Sequence, residues 1–267
     1  MVKLEVLICT TAARLSQIAP GQLPMLPEVR YIVVCQNPDG INTAPARAAL
    51  ARRHDIEVYQ FDDRGLSVNR NHALDLATAQ YVHIADDDLL YKADGLRRII
   101  AAFDADPSLD VLCTHAEIPE EHVYPPDGWN LSEPYRFYSP VSFEMSLRRR
   151  AVEKAGLRFS PLFGIGAPFL AAGEENIFLH NALKSGLKGC FRDICAVVHP
   201  GPTTCTRDGA RPGVIRARGA VMRVCRGPAA AFIRLPLEAW RSPGLFVTSL
   251  WHLLEGFVYS IVKSRRI

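Results

Sequence analysis

The chain opens with short, near-continuous apolar runs, each ending in a polar cluster. Residues 6–9 run into Thr10 and Thr11, and residues 31–35 run into Gln36 and Asn37. Runs of this kind suit strands covered on both faces, as in a parallel sheet. Residues 44–53 read as a helix and 56–61 as a third strand. Gly65-Leu66-Ser67 then opens a helix over about 68–79, and a fourth strand, 81–85, meets Asp86-Asp87-Asp88. A helix over 93–105, stopped by Asp106-Pro107, and a strand over 111–116 continue the alternation. The pattern predicts an open α/β sheet, whose ligands bind beyond the carboxyl ends of the strands.

Residues 118–140 are rich in proline and aromatic side chains (Tyr124, Trp129, Tyr135, Phe137, Tyr138) and read as one long structured loop. Loops of that length inside compact domains are often functional, and Tyr124, Trp129, Tyr135 and Tyr138 could contact a ligand or simply pack. Strand character resumes over 142–147, and 150–155 read as a helix stopped by Gly156. Glycines at 164, 166 and 173 mark a loop before a helix over about 174–185, and a last strand, 196–198, leads into His199. Residues 207–227 show no clear period. Residues 244–263 do: Phe246, Leu250, Leu253, Leu254, Phe257, Val258 and Ile261 are expected on one face, with His252, Glu255, Gly256, Tyr259 and Lys263 on the other.

With 267 residues, 48% of them hydrophobic and 22% charged, the chain carries enough apolar surface for a large α/β domain plus an appendage, and global disorder is excluded. The net charge of +3 hides a split. Residues 207–267 carry 11 Lys and Arg against 3 Asp and Glu, whereas the preceding body is mildly acidic. The division expected is a catalytic domain over 1–205 and a basic extension over 206–267. A basic amphipathic tail fits an anionic membrane surface, with Trp251 and Phe257 in the acyl boundary and Arg241, Lys263, Arg265 and Arg266 at the headgroups. The acidic body argues against a nucleic-acid partner. Seven scattered cysteines, no Cys-x-x-Cys pair and no leader-like start fit a reducing cytoplasm, with the chain peripheral on the inner face of the membrane.

Three carboxylates in a row after an apolar strand are the sharpest chemical signal. A divalent cation would relieve their repulsion, since Mg²⁺ and Mn²⁺ take one or two protein carboxylates plus phosphate oxygens. The alternative is a solvated cap on the following helix. Gly65-Leu66-Ser67-x-x-Arg70-Asn71 opens a helix whose free amides and Arg70 could meet phosphate, or Ser67 could be an ordinary cap. Gly173-Glu174-Glu175-Asn176 also starts a helix. Its acids either complement the helix dipole or supply a general base and an acceptor ligand. His199 is either a satisfied loop histidine or a metal ligand.

Taken in order, these pieces resemble the family 2 glycosyltransferases of the GT-A fold. The resemblance covers residues 3 to about 205 and is strongest over GLSVNRNHALDLATAQYVHIADDDLLY, supported by FGIGAPFLAAGEENIFLHNALKSGLKG. It implies an αβα sandwich with a mostly parallel sheet, and an inverting transfer of sugar from a nucleotide-sugar, with a UDP-sugar favoured. It further implies bound Mn²⁺ or Mg²⁺ and a glycan or lipid-linked acceptor. The resemblance puts Asp86 near the ribose and, with Asp88 and His199, in the metal shell, while Asp87 serves either role. Thr10, Thr11, Arg14 and Gln36 fall at the nucleoside, although the family usually has an acid where Gln36 stands. Gly65, Ser67, Arg70 and Asn71 fall at the base or phosphate. Glu175 is the implied base and Glu174 the acceptor ligand, again with a difference, since the family's base is usually Asp. Two other readings use the same residues: a nucleotidyltransferase of similar fold, and a membrane-attached scaffold that binds nucleotide-sugar without turnover.

Overall fold

Apolar runs and their polar ends translate directly into strands and strand ends. β1 (Leu4–Thr11) is buried along all but its last residue and pairs in parallel with β2 (Val29–Gln36), in register from Leu4 opposite Val29 to Thr11 opposite Gln36. After α1 (Ala44–Leu50), β3 (Ile56–Phe61) lies parallel to β2. After α2 (Leu66–Leu76), β4 (Tyr81–Asp86) lies parallel to β1 on its other side, with Cys9 opposite Asp86. The remaining elements are β5 (Leu90–Tyr91), α3 (Ala93–Ala105), β6 (Val111–Glu117), β7 (Met145–Arg148), α4 (Arg149–Lys154), α5 (Glu174–Lys184) and β8 (Gly189–Val198). The C-terminal helices are α6 (Thr204–Arg207), α7 (Pro212–Arg226), α8 (Pro228–Arg241) and α9 (Phe246–Val262).

The computed structural model describes residues 1–119, 122–133, 139–201, 204–242, 244–264 and 267. The chain forms two units: Met1–Arg64 with Asn69–Arg158 and Asn181–Gly201, and Gly65–Val68 with Phe159–His180 and Pro202–Ile267.

The first unit is built on one eight-stranded sheet in the order β3-β2-β1-β4-β7-β6-β8-β5. β7 runs antiparallel to both β4 and β6, so β6 again points the same way as β4, and β8 is parallel to β6. The carboxyl ends of β1, β2 and β4 therefore open on one side. This is the mixed α/β, mostly parallel sheet that the alternation predicts. α3 packs on the sheet closely enough that a Cβ on Gly95 would collide with the Cys195 carbonyl oxygen. The strand expected over 142–147 begins instead as a 3₁₀ turn at Ser142–Glu144 and extends only from Met145. β8 starts seven residues before the strand expected at 196–198, because exposed Arg192 and Asp193 interrupt the apolar run at a register shift in its pairing with β6, beyond which the pairing resumes.

Of the aromatic loop, Tyr135, Phe137 and Tyr138 lie outside the described residues. Tyr124 gives its hydroxyl to Glu144 at 2.7 Å and stacks near Phe191, so its ring is engaged in packing.

Besides the short α6, the second unit holds two elements that periodicity did not predict, α7 and α8. α7 buries Val214, Ile215, Ala217, Gly219 and Ala220, a stripe whose small residues are interrupted by arginines and so carry little hydropathic signal. Its core joins Ile215 with Ala231, Leu235 and Ala239 of α8 and with Leu253 and Phe257 of α9. α7 and α9 approach backbone to backbone. A Cβ on Gly219 would collide with the Leu253 carbonyl oxygen, and one on Gly256 with that of Arg216. The helix expected over 244–263 is present, but its faces are rotated. Gly256, expected on the polar face, is buried with Ser249 and Ser260, while Phe246, Val258 and Ile261 are exposed. Phe257 is likewise buried and not available to an acyl boundary. Close approach of two backbones selects small residues over large ones, which overrides the hydropathic face.

Candidate active site

In the first unit the sheet brings Thr10, Arg14, Arg70, the aspartate triplet and His199 together. Helix α3 begins at Ala93 with Lys92 at its N-cap, so the triplet does not cap a helix. Each aspartate instead meets a different partner. Asp86, the last residue of β4, takes Arg70 Nη2 at 3.0 Å, and the same nitrogen donates to Ser142 Oγ at 2.7 Å. Arg70 is 1% exposed. Burial raises the Asp86 pKa above the ordinary carboxylate value, an effect that Arg70 opposes and Asp88 and Asp87 reinforce.

Asp87 receives Thr10 Oγ1 at 2.5 Å and both oxygens lie within 3.0 Å of Arg14 Nε. Arg14 Nη2 also reaches Asp88 Oδ2 at 2.9 Å. The aspartate hydrogen bond holds the Arg14 guanidinium ionised well beyond its usual range. Arg14, assigned by resemblance to the nucleoside, thus lies against the carboxylates.

His199 sits just past β8, stacked on Phe143 with ring centroids 5.2 Å apart. Its Nδ1 lies 2.5 Å from the Gly201 carbonyl oxygen, which only accepts, so Nδ1 carries a hydrogen. The other nitrogen, Nε2, faces Asp88 Oδ1 at 3.5 Å. Two lone-pair donors at that spacing need a proton or a cation between them. The hydrogen bond to His199 holds the Asp88 carboxyl below its ordinary value, and Asp88 in turn raises His199 against the opposing effect of burial. Among the described residues no group of three or more His, Cys, Asp or Glu side chains is arranged to hold a metal ion. Asp88 and His199 alone offer two donor atoms, a set that suits a cation otherwise held by phosphate oxygens.

Gln36, at the end of β2, turns away from the triplet and donates to Asp63 Oδ1 at 2.7 Å. Asp63 also meets His72 Nε2 at 2.5 Å, and the His72 ring stacks on Phe61 at 3.9 Å. Asn69 is buried in α2 and donates to the carbonyls of Thr10 and Val34, at 3.1 and 2.9 Å, holding the ends of β1 and β2. Sequence reasoning missed Asn69, Asp63, His72 and Ser142. The first stands inside the quoted Gly-Leu-Ser-x-x-Arg-Asn motif, where its spacing one residue before Arg70 was the available signal. Thr11 is exposed at the end of β1, and Asn71 is half-buried on α2. A cavity lined by Asp106, Asn130, Leu187 and Lys188 lies where β6 and β8 begin, at the opposite end of the sheet from the carboxylates.

The second unit holds Gly65, Ser67, Glu174 and Glu175. Gly65 has φ +106°, a conformation that favours glycine, and its Cα lies 3.0 Å from where a Cβ on Gly166 would stand. Ser67 donates to the Phe163 carbonyl oxygen at 2.7 Å, so its hydroxyl fastens the glycine loop. Glu174 and Glu175 occupy the first turn of α5, as the spacing predicts. Glu174 is buried beside Gly164, whereas half-buried Glu175 accepts from Asn176 Nδ2 at 2.9 Å.

No curated protein sequence matches the chain. Solved structures do. The crystal structure of S. aureus TarS 1–349 superposes with a TM-score of 0.62 at 16% identity, covering 99% of this chain and 73% of that one. Its complex with UDP gives 0.61 at 16% identity over the same shares, and its complex with UDP-GlcNAc gives 0.57 at 14% over 99% and 92%. At such identities the likeness shows the fold, which is the GT-A arrangement. The family model of glycosyl transferase family 2 matches residues 22–162, more than half of the chain. The chain belongs to glycosyl transferase family 2.

Proposed function

We propose that this glycosyltransferase moves a sugar from a nucleoside-diphosphate sugar, UDP-linked by preference, to a hydroxyl of a glycan or lipid-linked acceptor, with inversion at the anomeric carbon. The preference for UDP draws on the S. aureus structures solved with UDP and with UDP-GlcNAc. The observation that carries the reading is the pairing of Asp88 Oδ1 with His199 Nε2 at 3.5 Å, beside two further aspartates at the open end of the sheet. That donor set fits Mn²⁺ or Mg²⁺. When bound, such a cation would neutralise charge on the departing diphosphate.

The chain's own residues divide the remaining work. Asp86, held by buried Arg70, is assigned to the ribose and the edge of the metal shell. Arg14, now on Asp87 and Asp88, has the reach and charge to transfer to a diphosphate. Thr10, Thr11, Gln36 and Asn71 are assigned to the nucleoside and phosphates, with Gly65 and Ser67 shaping the loop. Glu175 takes the proton from the acceptor hydroxyl, whose oxygen bonds to the anomeric carbon as the bond to the diphosphate breaks. A single displacement of this kind inverts the centre. Glu174 holds the acceptor. The work is assigned to an anionic membrane face in the cytoplasm, where lipid-linked acceptors are reached.

The test is a panel of nucleotide-sugars scored first for Mn²⁺-dependent thermal stabilisation, then for transfer. A UDP-sugar is expected to raise the melting temperature according to its affinity. Glu175→Gln is expected to keep that stabilisation and lose transfer. Undiminished transfer by this variant would remove Glu175 as base, and stabilisation without transfer by the natural chain would favour a binding scaffold.

A further inference from the structure

Most of the exposed large apolar side chains among the described residues lie on two consecutive helices of the second unit. On α8 the buried stripe is Ala231, Leu235 and Ala239. Ile233, Leu237 and Trp240 occupy the opposite face at i, i+4 and i+7, and are 78%, 50% and 79% exposed. On α9, opposite buried Ser249, Leu253 and Gly256, the outward stripe is Val247, Trp251 and Val258, at 76%, 63% and 53%. A helix with apolar residues on both faces uses one for its core and keeps the other for something outside it.

Charge identifies the occupant. Arg234 and Arg241, both exposed, flank the α8 stripe one heptad apart. The acid of α9 is neutralised: Glu255 accepts from Arg216 Nε at 2.8 Å and lies 2.7 Å from His252 Nδ1. These contacts hold the Glu255 carboxyl below its ordinary value. Arginines beside an apolar stripe, with a tryptophan in each stripe, match the boundary between headgroups and acyl chains of an anionic bilayer. Among the described residues no helix is long and apolar enough to cross a membrane, which fits helices lying in the interface.

We propose that the outward stripes of α8 and α9 form a docking surface for phospholipid bilayers carrying anionic headgroups, with Trp240 and Trp251 seated in the interface. This rests on the assignment of the enzyme to a membrane face and goes further by naming the surface. It differs from the sequence-based expectation, which put Phe257 in the lipid and took only Arg241 from α8.

The test is flotation of the full chain with phosphatidylglycerol-containing vesicles and with phosphatidylcholine alone, read with tryptophan fluorescence. The natural chain is expected to float with the anionic vesicles, with emission shifted to the blue. Ile233→Glu/Trp251→Glu is expected to weaken partition at least about 10-fold per position, and Arg234→Glu/Arg241→Glu about 5-fold or more per charge. Both variants change only exposed side chains, so circular dichroism and the UDP-dependent melting shift should be unchanged. Loss of the UDP shift in the natural chain would overturn the catalytic reading and leave this one standing. Equal flotation of the variants, or equal binding to neutral vesicles, would overturn the docking surface. A lipid-free dimer that the glutamate variant dissociates would overturn it in favour of a second copy of the chain.

Discussion

Arg14 Nε stands 2.9 and 3.0 Å from the two oxygens of Asp87, with Nη2 of the same guanidinium 2.9 Å from Asp88 Oδ2. One side-chain cation therefore serves two adjacent carboxylates. A guanidinium and a divalent cation answer the same excess of negative charge, so the two compete. Arg14→Gln is expected to cost about 1 kcal/mol of stability without divalent ions, since Arg14 is partly exposed. In the same variant, Mn²⁺ should stabilise the fold more than it does the natural chain. Denaturant titrations with and without Mn²⁺ measure both, and an identical Mn²⁺ response in the two proteins would rule out the competition.

Asp88 and His199 are expected to hold the cation together. Asp88→Asn and His199→Gln should each weaken Mn²⁺ binding in the presence of UDP by at least about 10-fold, read by calorimetry. Because His199 Nε2 must be free of its proton, binding should also weaken as pH falls through the raised His199 pKa. Mn²⁺ affinity that is insensitive to both substitutions would separate these residues from the metal.

His83 is buried in β4, with Nδ1 2.9 Å from Ser146 Oγ, and burial alone pushes its pKa down from 6.5 to about 4. The unfolded chain takes this proton near 6.5, while the folded chain resists until about 4. Protonation in that window favours unfolding, so stability should fall as pH drops from 6.5 towards 4, by up to about 1.4 kcal/mol per pH unit from this group. His83→Gln should flatten that part of the profile. Urea melts at a series of pH values would reveal an unchanged slope if another group is responsible.

Gly256→Ala is expected to disrupt the α7–α9 contact, because the new Cβ would meet the Arg216 carbonyl oxygen, a backbone atom that cannot step aside. A loss of about 3 kcal/mol or more is expected, in the range of severe overpacking. Limited proteolysis should then cut within α7–α9 well before the natural chain is cut. Gly21→Ala, where nothing lies within 4 Å of the added carbon, is the matched control and should leave the pattern unchanged.

The strands were legible because both faces of β1, β2 and β4 are covered, which leaves uninterrupted apolar runs such as Val6–Cys9 within Leu4–Thr11. The position of the triplet at a strand end was legible because it follows such a run. α7 was not legible: its inward stripe uses Ala217, Gly219 and Ala220, and arginines fill the positions between. In α9, periodicity located the helix and put Leu253 and Phe257 inward correctly, but rotated the face, since Gly256 counts as weakly polar in sequence yet stands where two backbones meet.

By itself, the sequence determined the alternation of strands and helices, the strand end on which Asp86–Asp88 fall, and the start of α5 at Glu174 and Glu175. All of these follow from local patterns of burial and capping. Only the tertiary structure decided which cation each aspartate meets, that His199 turns Nε2 towards Asp88, and that α8 and α9 keep apolar stripes outward. Those relationships join residues far apart in the chain, 73 positions for Arg14 and Asp87, and depend on how closely backbones approach, which no local periodicity encodes.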